Sequence, residues 1–256
     1  CVSLERRQDR WRAFNERFPE DWPFNEVRKA SAIDGQTCKP PSYWKVGAGA
    51  WGCYKTHLNI IEQCLNDNVK SVLLLEDDAV FSNDFSKDVK KYLKKVPEDW
   101  GMLYLGGQNL DVSTYPPKKV NKWVYQPYNI NRTHAWALNG ACMLKTYKYL
   151  SSVNADNSHH IDHYLGEMHK KREDKIYIPK RWLVGQAEGK SNISGKEDIK
   201  RVWNHAENIN KKFKDKDSCV AVLGLHSSGS SCCAGVLYHL GLHLGNELSG
   251  YYGSNP

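Results

Sequence analysis

Val72-Leu73-Leu74-Leu75-Glu76-Asp77-Asp78-Ala79-Val80-Phe81 is the stretch that decides how the chain is read. Four apolar residues in a row suit a short strand buried on both faces. Three carboxylates follow at its C-terminal end. Side chains alternate along an extended chain, so Glu76 and Asp78 are expected on one side and Asp77 on the other. Adjacent like charges repel, and they are tolerated when solvated or when a positive group sits among them. In open α/β sheets, ligands bind beyond the carboxyl ends of the strands. The stretch therefore fits two descriptions: a solvated acidic turn, or a site for a divalent cation that carries a phosphate ligand.

Towards the N-terminus, Trp51, Tyr54, Leu58, Ile61 and Leu65 fall at steps of three and four, the stripe of an amphipathic helix over residues 50–66. His57 lies beside that stripe, as a packed residue or as a ligand. Residues 27–33 read as a strand closed by Asp34-Gly35, where Asp34 either begins a turn or holds a ribose hydroxyl. Residues 2–4 read as the end of a first strand. Arg6, Arg7 and Arg10 follow at the start of a helix that Pro19 stops. Guanidinium forks match phosphate oxygens, and the same arginines suit a charged helix start with i,i+4 partners.

Towards the C-terminus, residues 83–96 predict a lysine-rich helix ended by Pro97, and residues 100–105 a strand that runs into Gly106-Gly107. Paired glycines let a backbone approach a ligand closely, or serve a tight turn. Residues 123–128 and 134–138 read as strands, 141–153 as a helix, and 175–178 and 181–184 as the last strands. Residues 110–122 and 186–194 read as loops. His159-His160-Ile161-Asp162-His163 opens a further helix. Histidines around an aspartate suit a metal or acid–base site, while an aspartate at a helix start also caps it and complements its dipole.

The 256 residues allow one sizeable α/β domain, alone or with a small appendage. At 40% apolar and 25% charged, the composition is that of a globular protein, and no apolar run is long enough for a helical membrane span. Peripheral contact with a membrane stays open. The chain starts at Cys1 within a strand-like stretch, so the natural N-terminus is expected to lie upstream. The net charge of +7 comes from dispersed Lys and Arg, which favours solvated faces and a phosphate-bearing small molecule over nucleic acid. Eight cysteines without a Cys-x-x-Cys pair suit neither a zinc knuckle nor a disulfide framework. Free thiols in a reducing, cytoplasmic setting are expected. Sequons at Asn131 and Asn192 matter only for a secreted chain.

Taken in order, the pieces resemble glycosyltransferase family 25, the lipopolysaccharide and collagen-type galactosyltransferases. They are Ser3-Leu4-Glu5-Arg6-Arg7 with Asp9-Arg10, Ala32-Ile33-Asp34-Gly35, Gly52-Cys53 with His57, and the acidic stretch with its flanks from Leu75 to Phe81. Tyr104-Leu105-Gly106, Asn139-Gly140-Ala141, Ile161-Asp162-His163-Tyr164-Leu165, and Gln186 with Ser191-Asn192-Ile193 follow. The resemblance covers residues 1–195 and departs from the family at Asn192, where an aspartate is usual. It implies a GT-A-type, Rossmann-like mixed sheet flanked by helices, a UDP-sugar donor with a saccharide acceptor, Mn²⁺ or Mg²⁺, and inversion at the anomeric carbon. It places Glu76 and Asp78 on the metal and Asp162 as the base. Arg6, Arg7, Arg10, Asp34, His57, Asp77 and Gly106 then serve the donor, with His57, His134 and His163 as rival bases or third metal ligands. Arg6, Arg7, Arg10, Asp34 and Asp162 are expected to converge above the acidic stretch.

Residues 196–217 form a charged linker in this reading, and residues 218–256 start something new. Val220-Ala221-Val222-Leu223-Gly224 followed by Ser228-Gly229-Ser230-Ser231 resembles the first strand and loop of a sulfotransferase, a P-loop-like strand–loop–helix cut short at Pro256. Two other functions follow: a sulfotransferase whose catalytic part is truncated, and a nucleotide-sugar-binding module without turnover.

Overall fold

The computed structural model describes residues 1–153, 158–190, 193 and 197–198. The sulfotransferase-like stretch and nearly all of the charged linker lie outside the described residues. In chain order the elements are β1 (Val2–Ser3), α1 (Gln8–Glu16), β2 (Ala30–Ser31), α2 (Ala48–Asn66), β3 (Ser71–Leu75) and β4 (Ala79–Phe81). Next come α3 (Phe85–Leu93), β5 (Met102–Asn109), β6 (Lys118–Lys119), β7 (Val124–Gln126) and β8 (Ile130–Asn139). They end with α4 (Gly140–Ser151), α5 (Ile161–Lys171), β9 (Ile176–Pro179) and β10 (Val184–Gln186), before a short pair, Gly189–Lys190 with Glu197–Asp198.

Six strands form a mixed sheet in the order β3-β8-β5-β9-β7-β6. β8 runs antiparallel to both β3 and β5, and β5 is parallel to β9. A parallel bridge between Val2 and Glu76 adds β1, and β2 pairs parallel to β1. Hence β1, β2, β3 and β5 all point one way and end along one edge of the sheet. β8 starts at that same edge.

Strand alternation feeds two cores. Leu74, Met102, Tyr104, Trp136 and Leu138 face α2, α4 and α5 through Tyr54, Leu58, Ile61, Met143, Leu150 and Leu165. Leu75, Leu103, Leu105 and Ala135 face the other way and pack with Phe14 of α1 and with Phe85, Val89 and Tyr92 of α3. The mixed α/β sheet flanked by helices thus agrees with the sequence. The stripe of α2 points inward as its spacing predicts, and Asn139 caps α4 by accepting the Cys142 N–H at 2.9 Å.

Four expectations change. β3 is not buried on both faces along its length: Ser71 is exposed, Val72 and Leu73 half-buried, and only Leu74 and Leu75 are buried. It is an edge strand of the six, covered by β1 only at its last step. The strand expected over 27–33 shrinks to Ala30–Ser31, and the one expected from residue 134 begins earlier, at Ile130. Gly106 lies inside β5, at a register shift opposite Ala135.

Candidate active-site cleft at the strand ends

The chain turns immediately after Glu76. The Ala79 N–H donates to the Glu76 carbonyl at 2.9 Å, closing a tight turn around Asp77 and Asp78. The expected alternation therefore stops at Glu76, and all three carboxylates reach one cleft. The turn is held from three sides. Glu76 N–H donates to the His134 carbonyl at 3.1 Å, Asp77 N–H to the Val2 carbonyl at 3.0 Å, and Ala187 N–H to the Asp78 carbonyl at 2.6 Å. β4 pairs antiparallel with β10, so the chain beyond the turn is also fixed.

The cleft has a volume of about 270 Å³. Arg6, Arg10, Asp34, His57, Glu76, Asp77, Asp78 and Asp162 all line it, as do Cys53, Arg132, Thr133, His160 and Gln186. Each carboxylate has its own setting. Asp77 accepts the Ser3 hydroxyl at 2.8 Å and Arg10 Nη1 at 3.4 Å. Burial nevertheless pushes it up, with these two contacts opposing. Asp78 lies 3.7 Å from Arg10 Nη1. Burial and then the charge of Glu76 push it well above the usual carboxylate range, and its Oδ1 is buried without a hydrogen-bond partner among the described residues. Glu76 accepts the Thr133 hydroxyl at 2.7 Å and lies 3.5 Å from His57 Nε2. Burial would raise it, but these contacts outweigh burial and hold it down.

Around this acidic floor, Arg6 Nε donates to Asp34 at 2.5 Å, and that contact with the Gln36 N–H keeps Asp34 ionised to lower pH than usual. Asp162 sits in the first turn of α5. Its Oδ2 accepts the Arg132 N–H at 3.1 Å, while Oδ1 is buried without a hydrogen-bond partner among the described residues. Arg132 holds a left-handed backbone, φ +77°, at the start of β8, and its Nη1 donates to Gln186 at 2.5 Å. Strained backbone of this kind is kept where the surroundings over-determine it. A carboxylate pair with an unpartnered buried oxygen, backed by arginines, has the chemistry to take a divalent cation and a diphosphate together.

Two predicted site residues lie elsewhere. Arg7 does not line the cleft and pairs with Asp9 at 2.6 Å, the charged helix start that its sequence allowed. Gly106 does not line it either. A Cβ there would collide with the Val184 carbonyl and with His134 Nε2. Its bareness admits β10 and a histidine, not a ligand. Of the rival residues, His134 is fully buried behind Glu76 and its charged form is disfavoured by burial, which lowers it to about 4. Sequence reasoning does not mark Cys53, Arg132 and Thr133 as site residues. The antiparallel course of β8, which carries residues 132 and 133 to the strand-end edge, has no local signature in sequence. Cys53 does have one, its i,i+4 spacing to His57 on α2.

Residues 1–155 match the family described as glycosyltransferase family 25 (LPS biosynthesis protein). Among curated proteins, procollagen galactosyltransferase 2 of Mus musculus is 24% identical over 71% of this chain, and that of Homo sapiens 24% identical over 46%. A glycosyltransferase 25 family member of Drosophila melanogaster is 26% identical over 53% of the chain. The matches span 32% of the mouse protein and 22% of each of the other two, about a third of their lengths or less. A solved mannose-1-phosphate geranyltransferase from Thermus thermophilus superposes with a TM-score of 0.37 at 11% identity, over 70% of this chain and 57% of that one, a likeness too slight to argue from. From the match over more than half of its length, the chain belongs to glycosyltransferase family 25.

Proposed function

We propose that the chain is a metal-dependent glycosyltransferase on a GT-A-type fold, moving a hexose from a UDP-sugar to a saccharide or other hydroxyl acceptor with inversion. The observation that supports this is the convergence of Glu76, Asp77 and Asp78 with Arg6, Arg10, Asp34 and Asp162 on one cleft at the strand ends. The procollagen relatives are named galactosyltransferases, which favours galactose over glucose.

Glu76 and Asp78 would hold the divalent cation, and the unpartnered Asp78 Oδ1 and the raised Asp78 suit a group that a cation restores to its charged form. When bound, Mn²⁺ or Mg²⁺ supplies positive charge for the departing diphosphate. Arg10, placed between Asp77 and Asp78, adds charge on the same side. Asp34, held by Arg6, offers an acceptor for the ribose hydroxyls. Asp162 takes the proton of the acceptor hydroxyl through Oδ1 as the new bond forms at the anomeric carbon and the bond to the β-phosphate oxygen breaks on the opposite face. The proton ends on Asp162 and the electron pair on the nucleoside diphosphate.

The test is a panel of nucleotide sugars with and without Mn²⁺, read by nucleotide release. A UDP-hexose is expected to turn over only with the cation, and Asp78→Ala is expected to abolish that turnover. An Asp78→Ala protein as active as the parent would remove the metal assignment.

A further inference from the structure

Cys53 and His57 sit one turn apart on α2 and face the end of β3. Their ligand atoms and a Glu76 oxygen all lie within 4.8 Å of one another. We propose that Cys53, His57 and Glu76 form a sulfur-containing donor set for a zinc-class divalent cation on the floor of the cleft, distinct from the all-oxygen set of Glu76 and Asp78.

Four observations carry it. His57 is fully buried, and neither ring nitrogen makes a hydrogen bond among the described residues. Buried polar atoms are almost always partnered, so an imidazole whose polar neighbours are a carboxylate at 3.5 Å and a thiol is set as a ligand. The 3.5 Å from His57 Nε2 to Glu76 Oε1 is too long for a good hydrogen bond. It matches the edge of a zinc tetrahedron, in which two donors each about 2.1 Å from the centre lie about 3.4 Å apart. Thr133 donates to that same Glu76 oxygen at 2.7 Å, the kind of outer contact that aims a ligating carboxylate. Finally, all three residues line the cleft, so an ion reaches them from solvent.

The donor types choose the ion. Thiolate and imidazole favour zinc-class ions over manganese, which prefers oxygen, and three protein ligands leave a fourth position for water. Binding displaces the Cys53 thiol proton to solvent, so it strengthens as pH rises. Both sets need Glu76, so zinc held here takes a carboxylate from the donor cation. That consequence rests on the transferase reading, whereas the site does not.

Cobalt(II) alone, titrated into the full chain after removal of metals, tests the proposal by absorbance. The expected result is a thiolate-to-cobalt charge-transfer band in the near-ultraviolet with tetrahedral ligand-field bands in the visible. Cys53→Ser is expected to lose the charge-transfer band and to weaken binding by about tenfold or more. Asp78→Asn is expected to keep the band while losing Mn²⁺-dependent turnover, which separates this site from the transferase reading. Because the chain has eight cysteines, the parent is also alkylated with and without Zn²⁺ and mapped by peptide mass spectrometry. Zinc is expected to protect Cys53. Absence of the band in the parent, its persistence in Cys53→Ser, or undiminished alkylation of Cys53 under zinc would each overturn the proposal.

Discussion

Asp162 divides its two oxygens between position and chemistry. Oδ2 is held by the Arg132 N–H, and Oδ1 faces a buried space without a partner among the described residues. If it is the base, Asp162→Asn leaves UDP-sugar affinity within about twofold while kcat falls by about a hundredfold or more, measured by calorimetric titration beside turnover. An equal loss of both would make Asp162 a binding residue instead. His169 makes a second prediction at this scale. Its Nδ1 accepts the Ile130 N–H at 3.3 Å and its Nε2 meets the Tyr104 hydroxyl at 3.1 Å, and burial lowers it from 6.5 to about 3. The unfolded chain takes up a proton at this residue below about pH 6.5, while the folded chain stays neutral. The stability is therefore complete above pH 6.5 and falls on acidification, by about 1.4 kcal/mol per pH unit. His169→Gln is expected to flatten that slope by one proton in denaturant titrations across pH 4 to 6.5. Most carboxylates and arginines of the cleft are legible in sequence because each stands at an element's end, where sequence marks position. Arg132 and Thr133 are not, since their place depends on the direction of β8.

Among elements, β5 and β10 approach more closely than ordinary side chains allow. Gly106 makes that contact, and it sits where the register of β5 against β8 shifts. Gly106→Ala sets a methyl against the Val184 carbonyl and the His134 ring, both fixed by packing. The expected cost is about 1–3 kcal/mol by chemical unfolding, and because β10 carries Gln186 the variant is expected to weaken donor binding as well. The glycine pair is visible in sequence, but its partner is not: a glycine reports that something comes near, not what. The alternation from Leu73 to Glu76 is legible, whereas the turn at Asp77 and Asp78 is not. Three acidic residues carry no Gly, Pro or Asn punctuation, and the turn is set by Val2, His134 and Ala187, all remote in sequence.

For the whole molecule, the two cores share the same strands. Leu74 enters one and Leu75 the other, and the same split holds for Tyr104 and Leu105. Neither face can be stripped while the other stays packed. Trp44, Trp51, Trp136 and Trp182 report on one core, and Trp11, Trp22, Trp100 and Trp123 on the other. Tryptophan fluorescence and far-ultraviolet circular dichroism are expected to give coincident urea transitions for the described fold. Separate midpoints would mean that the faces unfold independently. The α/β class is legible because strand and helix periodicities alternate along the chain. Strand order is not, since an antiparallel strand threaded between two parallel ones is a property of through-space pairing.

The acidic turn is pinned by the Ala187 N–H, and the chain after it by β10, from the far end of the described chain. Synthesis therefore delivers the site out of order. A ribosome that has released the chain only through α4 has exposed Glu76, Asp77, Asp78 and Arg10, but neither Asp162 nor the strand that pairs with β4 beyond the turn. Until residue 187 emerges, the turn has its contacts to the Val2 and His134 carbonyls but lacks the one that holds the Asp78 carbonyl. A message truncated before β10 encodes the acidic turn without the strand that pairs with β4 and without the Ala187 contact.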